Sequence, residues 1–267
     1  VNIKIALASA KREGRLTEPA RVKLLTAMTG DVAELVLEDN RLQALALSIS
    51  QSGGATGAGS FIRLCEALEE AGQLDRKTEG LADGEVLRRR AADGQGLTRP
   101  ELAVLLSSAK LQLQAAIEAS PLPDDPGLAE ELLAAFPVPM RAKFKRDILE
   151  HRLRREIIAT KLANRLVNRL GLIHPFELAE EEGASLAQVA AAFVAAERLF
   201  DMAGVWQRIE TAAMSETARI TLFDRAAAAL SDHIADLLRV GGHGCEPSKL
   251  VAELQGAVSE LSGDIDE

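Results

Sequence analysis

At 267 residues the chain is long enough for one large domain or two ordinary ones, and it needs no disulfide staples to build a core. Its 40 Asp and Glu against 31 Lys and Arg leave a formal charge of -9, which argues against a chain built mainly to coat nucleic acid or an anionic membrane. Hydrophobic residues at 47% and charged residues at 27% exclude disorder throughout, and a scarcity of aromatics (seven Phe, one Trp, no Tyr) beside abundant Ala and Leu favours packed helices over sheets.

Apolar residues recur at three- and four-residue spacing almost everywhere, and no alternation persists long enough for a strand, so the fold class expected is all-α. The pattern is already running at Ile3, Ile5 and Leu7, directly after Val1, as though an element were entered partway; the chain reads as a fragment. Helices are expected over 2–13, 18–28 and 31–50. Thr17 precedes Pro19 at the start of the second, and Asp31 with Glu34 makes a D-x-x-E start for the third, where a short acceptor satisfies free backbone N–H groups. The uncharged stretch from Leu42 to Ile62 is long enough to cross a bilayer, but four glycines and several hydroxyl residues mark it as a helix end followed by a loop. Ser52–Ser60 is too glycine-rich to hold a helix and reads as a hinge.

A helix over 60–71 ends at Gly72, and a polar, glycine-punctuated connector with one short helix follows. Thr98 and Glu101 form a T-x-x-E capping box with Pro100 in the first turn, starting a helix over 98–119. Asp125-Pro126 starts the next, over 125–136, which Pro137 and Pro139 stop. From Met140 a single long helix is expected to Leu170 before Gly171, then a turn at His174-Pro175. Ser185 and Gln188 form a second capping box, and further helices fit 203–213, 216–240 and 248–262. The whole is an irregular bundle of about ten helices around the 140–170 helix, divided as 1–51, a hinge over 52–60, and a main domain over 61–267.

Candidate chemistry is sparse. Gly53, Gly54, Gly57 and Gly59 suggest a phosphate loop, but no strand precedes them and no Lys-Ser/Thr follows, so a hinge is the better reading. His243 and Cys245 lie close in sequence, but a closed zinc site needs four ligands, and Cys65, His151, His174 and His233 are scattered. Two cysteines 180 residues apart make no disulfide framework, so a reducing compartment, the cytoplasm by default, is expected. No G-x-S-x-G or similar nucleophile motif is present.

Between Arg141 and Arg169 the local charge is +7, leaving -16 for the rest of the chain. At about 100° per residue, Arg154, Lys161 and Arg165 fall on one stripe of that helix, with Thr160, Asn164 and Asn168 beside it. The basic stripe is a candidate docking face for an acidic partner or another domain; the competing reading is internal salt bridging to acidic turns such as Glu180–Glu182. Apolar residues cover much of the remaining circumference, so Asn164 and Asn168 should be buried and bonded to backbone or carboxylates. RNA binding is disfavoured because aromatics for stacking are missing from this face. Phe193, Leu199, Phe200, Trp206 and Ile209 read as core packing.

The runs GLTRPELAVLLSSAKLQL, SPLPDDPGLAEELLAAFP and above all HRLRREIIATKLANRLVNRLG resemble the C-terminal helical region of the large bacterial NAD-specific glutamate dehydrogenases. The opening VNIKIALASA and LTAMTGDVAELVLEDNRLQALALS are similar to the segment that follows on the dehydrogenase core in that family. The resemblance implies a parent enzyme that oxidises L-glutamate to 2-oxoglutarate and ammonium with NAD. It also implies that catalytic and cofactor residues lie outside this segment, which would bind no cofactor or metal itself. The implied role is a scaffold against the catalytic domain of the same chain and neighbouring subunits, with no nucleic-acid or membrane partner. An independent helical protein-binding adaptor is the alternative.

Overall fold

The computed structural model describes residues 1–241, 244 and 246–266, with side chains described as far as residue 260. Among these residues there are fifteen α-helices and no strand. They are α1 (Asn2–Arg12), α2 (Glu18–Ala27), α3 (Thr29–Ser52), α4 (Ala58–Glu70), α5 (Gly84–Ala92), α6 (Arg99–Ala119), α7 (Ala129–Ala134) and α8 (Val138–Arg141). There follow α9 (Lys145–Leu149), α10 (Arg154–Leu170), α11 (His174–Glu181), α12 (Leu186–Leu199), α13 (Met202–Thr211), α14 (Glu216–Val240) and α15 (Pro247–Asp266). The all-α expectation holds; the number exceeds the expected ten. No helix among the described residues is long and apolar enough to cross a membrane.

The core sits where α6, α10, α12 and α14 pack together. α10 lies along α6, and α12 runs through the interior with ten of its fourteen residues buried, as a helix apolar on all sides must. α12 begins at the expected box: Gln188 Oε1 accepts from the Ser185 N–H at 2.7 Å, and the Ser185 hydroxyl accepts from the Gln188 N–H. α6 begins at the other: the Glu101 carboxylate accepts from the Thr98 N–H and hydroxyl, both at 2.8 Å, and from Arg90. Phe193, Leu199, Trp206 and Ile209 are buried, Phe200 is partly buried against them, and Trp206 stacks on Phe223.

Four local expectations need correction. The long 140–170 helix is three pieces, α8, α9 and α10, with non-helical backbone at Phe144 and Leu153. No Pro or Gly marks the breaks; tertiary anchors make them. Phe144 and Ile148 turn into the core, and His151 Nδ1 accepts from the Leu153 N–H at 3.1 Å, satisfying a donor at the entry to α10. His174-Pro175 does not form a turn but opens α11, with the proline in the first helical turn, where its missing N–H has no partner to lose. Asp31 does not cap α3, which starts two residues earlier, almost continuous with α2. Asp125 does act as a cap, its carboxylate accepting from the Gly127 N–H at 2.8 Å, yet the chain makes a short 3-10 turn there before α7.

The glycine-rich run, expected to be too rich in glycine for a helix, carries helical turns through most of its length. α3 continues to Ser52, Gly54–Gly57 forms one 3-10 turn, and α4 starts at Ala58. Gly96 presses against it: a Cβ on Gly96 would stand 2.6 Å from the Gly54 carbonyl oxygen.

Candidate functional site

One polar construction joins the first three helices to the rest. Arg15, just after α1, donates from Nη2 to Asp147 Oδ1 at 2.6 Å and from Nη1 to Asp147 Oδ2 at 2.9 Å. Asp147 on α9 has a side chain only 2% exposed, so this fork is the main compensation for a buried carboxylate. Asp147, and after it Glu13, holds the Arg15 guanidinium well above its ordinary pKa. Next to it, Nδ1 of His151 is occupied as an acceptor, so Nε2 carries the proton and donates to the Asn2 carbonyl at 3.2 Å. Burial holds the His151 pKa below its usual range, which keeps the ring neutral.

At the other end of the segment, Arg99 in the first turn of α6 donates to the Ala44 carbonyl at 3.1 Å and to Ser48 Oγ at 3.2 Å, gripping the last turns of α3. Between these two grips, α3 meets α10 and α13 through charge. Lys161 stands 3.8 Å from Asp39, and Arg41 stands 3.4 Å from Glu210.

Glu210 belongs to a second group, which lines a cleft of about 550 Å³ between α7, α10, α12 and α13. Arg169 donates to Glu210 at 2.7 Å and lies over the Trp206 ring, 5.1 Å from its centroid. Arg165 donates to Glu131 at 2.7 Å, while its Nε stands 2.9 Å from Glu197 out of line for a hydrogen bond. Burial pushes the Glu197 carboxyl above its ordinary range; the same burial works against the Arg165 charge, yet Glu197 and Glu131 hold that guanidinium up. At the cleft's edge Asp201 has φ 44 and ψ 46, the one positive φ outside glycine among the described residues.

The expected docking stripe therefore points at its own chain. Arg154 binds Asp124 at 3.0 Å, Lys161 faces Asp39, and Arg165 sits between Glu131 and Glu197. The acidic turn expected to receive it is engaged otherwise, Glu182 with Arg239 and Glu180 near Arg63. Of the polar stripe, Thr160 bonds back to the Glu156 carbonyl at 2.7 Å and Asn164 is half-buried. Asn168 is buried as expected, but its partner is a cation rather than backbone or a carboxylate: Oδ1 accepts from Lys110 Nζ at 3.3 Å. Burial pushes Lys110 down to about 8.

Sequence reasoning missed Arg15, Asp147, Lys110, Glu131 and Arg169. Their partners lie tens of residues away or more, so no local spacing announces them. Glu197 left a signal: one acid within the apolar run AAFVAAERLF, which a buried helix tolerates only beside a cation.

Among the described residues no group of three His, Cys, Asp or Glu side chains is placed to hold a metal. Cys65 is buried, with its thiol pushed up to about 11 by burial; His233 stacks on Phe200; His243 and Cys245 lie outside the described residues.

Residues 94–267 match the family described as glutamate dehydrogenase, C-terminal, and residues 1–50 match the bacterial NAD-glutamate dehydrogenase catalytic domain. The chain is 40% identical over 210 residues to the NAD-specific glutamate dehydrogenases of Halomonas elongata and Pseudomonas aeruginosa, covering 79% of this chain and 13% of each relative. It is 34% identical over 274 residues to that of Mycobacterium tuberculosis, covering 99% of this chain and 17% of the relative. The chain thus spans less than a fifth of the length of these proteins.

Proposed function

Because this chain belongs to the bacterial NAD-specific glutamate dehydrogenases as their C-terminal helical region, we propose that it is the scaffold that fastens the last helices of the catalytic domain into place. The parent reaction would be oxidation of L-glutamate with NAD and water to 2-oxoglutarate, NADH and ammonium, carried out in the cytoplasm. The observation that carries the scaffold reading is the pair of grips on residues 1–50: the fork of Arg15 on the buried Asp147, with His151, at one end, and Arg99 on α3 at the other. Both hold a segment matching the catalytic domain to a body matching the C-terminal family.

NAD and the reacting groups belong, in this reading, to other parts of the enzyme. The glycine run that might have cradled a pyrophosphate ends one helix and begins another, and the Gly54 carbonyl is pressed against Gly96 rather than opening on a ligand. This chain's contribution is to fix the position of α1–α3, and through them the catalytic domain, by ion pairs and hydrogen bonds of which the Asp147 carboxylate is the buried member. Arg154, Lys161 and Arg165 take part by binding α3, α7, α12 and the turn at Asp124, with Arg154 and Lys161 exposed enough to reach a neighbouring domain or subunit as well.

The test is deletion of residues 94–267 from the full-length enzyme. NAD-dependent glutamate oxidation should be lost although the reacting groups remain; undiminished turnover by the shortened enzyme would refute the scaffold role. Replacing Arg154, Lys161 and Arg165 together with Ala should weaken assembly and turnover, and an unchanged enzyme would remove those three from the docking surface.

A further inference from the structure

Residues 18–43 hold only one buried side chain, Met28. α2 has none, and α3 buries Leu45 and Ala46 only toward its C-terminal end. The segment is nonetheless rich in apolar residues. Val22 and Val36 are each 53% exposed and Leu37 is 66% exposed, while Leu24, Leu25 and Leu35 are half-buried. Of the eight large hydrophobic side chains exposed among the described residues, Val1 and these three fall in the first 37 positions.

The ion pairs of α3 show which of its side chains the C-terminal body engages. Asp39 faces α10 through Lys161. Leu37 lies one helical turn before Arg41 and Val36 about 60° round from Asp39, yet both stay more than half exposed, so the contacts made by Asp39 and Arg41 leave them uncovered. A run of exposed apolar side chains of this kind is a candidate contact surface.

Resting on the scaffold reading, we propose that the exposed apolar side chains of α2 and the first half of α3, Val22, Val36 and Leu37, receive the preceding part of the catalytic domain of the same polypeptide. The occupant follows from two observations. Residues 1–50 match that catalytic domain, and the matched relatives are several times longer than this chain. Helices matching a domain are expected to pack apolar side chains against the rest of it, and here Arg15, Asp39 and Arg41 are already engaged by the C-terminal region while Val22, Val36 and Leu37 are not.

A photo-crosslinking amino acid placed at position 37 of the full-length enzyme identifies the occupant, because mass spectrometry of the product names the peptide it reaches. The expected product has the mass of one polypeptide and joins position 37 to a catalytic-domain peptide preceding residue 1. Hydroxyl-radical labelling of the unmodified enzyme should then be about tenfold weaker at Val22, Val36 and Leu37 than at exposed Val240. A crosslink between two copies, a crosslink to any other region, or labelling equal to that at Val240 would overturn the proposal. The deletion of residues 94–267 is read separately. An intramolecular crosslink to the catalytic domain, together with undiminished turnover after that deletion, would keep this docking surface and discard the scaffold.

Discussion

Removing Arg15 and neutralising Asp147 are unequal perturbations, because the carboxylate is buried and the guanidinium reaches solvent. Arg15→Ala strands a charge that cannot be hydrated, whereas Asp147→Asn leaves Arg15 an amide oxygen and open water. Arg15→Ala should therefore lower the urea midpoint more, and an equal or reversed order would show that the fork is not what stabilises the buried acid. The same logic applies at Arg165, whose loss leaves Glu131 and Glu197 facing each other: Arg165→Ala should cost about 3 to 5 kcal/mol in urea denaturation. Glu197→Gln should cost less than Arg165→Ala, because Arg165 keeps its pair with Glu131 when Glu197 loses its charge. Lys110 gives a pH signature. Its amine falls from 10.5 to about 8 on folding, so between those values the unfolded chain holds more protons, and stability rises with pH across that window. Cys65, raised from 9.0 to about 11, acts in the opposite sense, so the comparison belongs in a Cys65→Ala background. There, Lys110→Met should flatten the rise between pH 8 and 10.5 in urea melts, and an unaltered slope would contradict the assignment.

At the scale of helices, legibility tracked how local the determining interaction is. Both capping boxes, at Thr98 and Ser185, were readable because donor and acceptor sit three residues apart. The end of α10 at Gly171 was readable too, since its φ of 86 suits glycine. The breaks around Phe144 and Leu153 were not, because a run without Pro or Gly keeps its helical pattern on paper while the core and His151 redirect it in space. The glycine-rich run illustrates the same limit: its composition speaks against helix, yet helical turns run through it and Gly54 meets a residue some forty positions away. Gly96→Ala should destabilise by about 1 to 3 kcal/mol, because its Cβ would meet the Gly54 carbonyl. Gly59→Ala, with no neighbouring atom within 4 Å, should be neutral or slightly stabilising in thermal melts. Equal effects would mean that the Gly54–Gly96 contact does not hold the link.

At the scale of the molecule, the basic helix illustrates how charge can be read correctly in amount and differently in use. The surplus between Arg141 and Arg169 was plain from composition. Its partners, Asp39, Asp124, Glu131, Glu197 and Glu210, come from four helices and a turn, and only folding brings them to α10. The family was legible because its specific runs lie on α6, on α10 and between them, where packing leaves few alternatives at each position. The grips on residues 1–50 were not, since each joins groups that sequence separates by 51 residues or more. Those grips make the central claim testable by charge exchange in the full-length enzyme. Arg15→Asp and Asp147→Arg should each lower NAD-dependent glutamate oxidation by about tenfold or more, and the double exchange should recover much of it. Full turnover by both single variants, or no recovery in the double, would contradict the claim that this contact holds the catalytic segment in its working position.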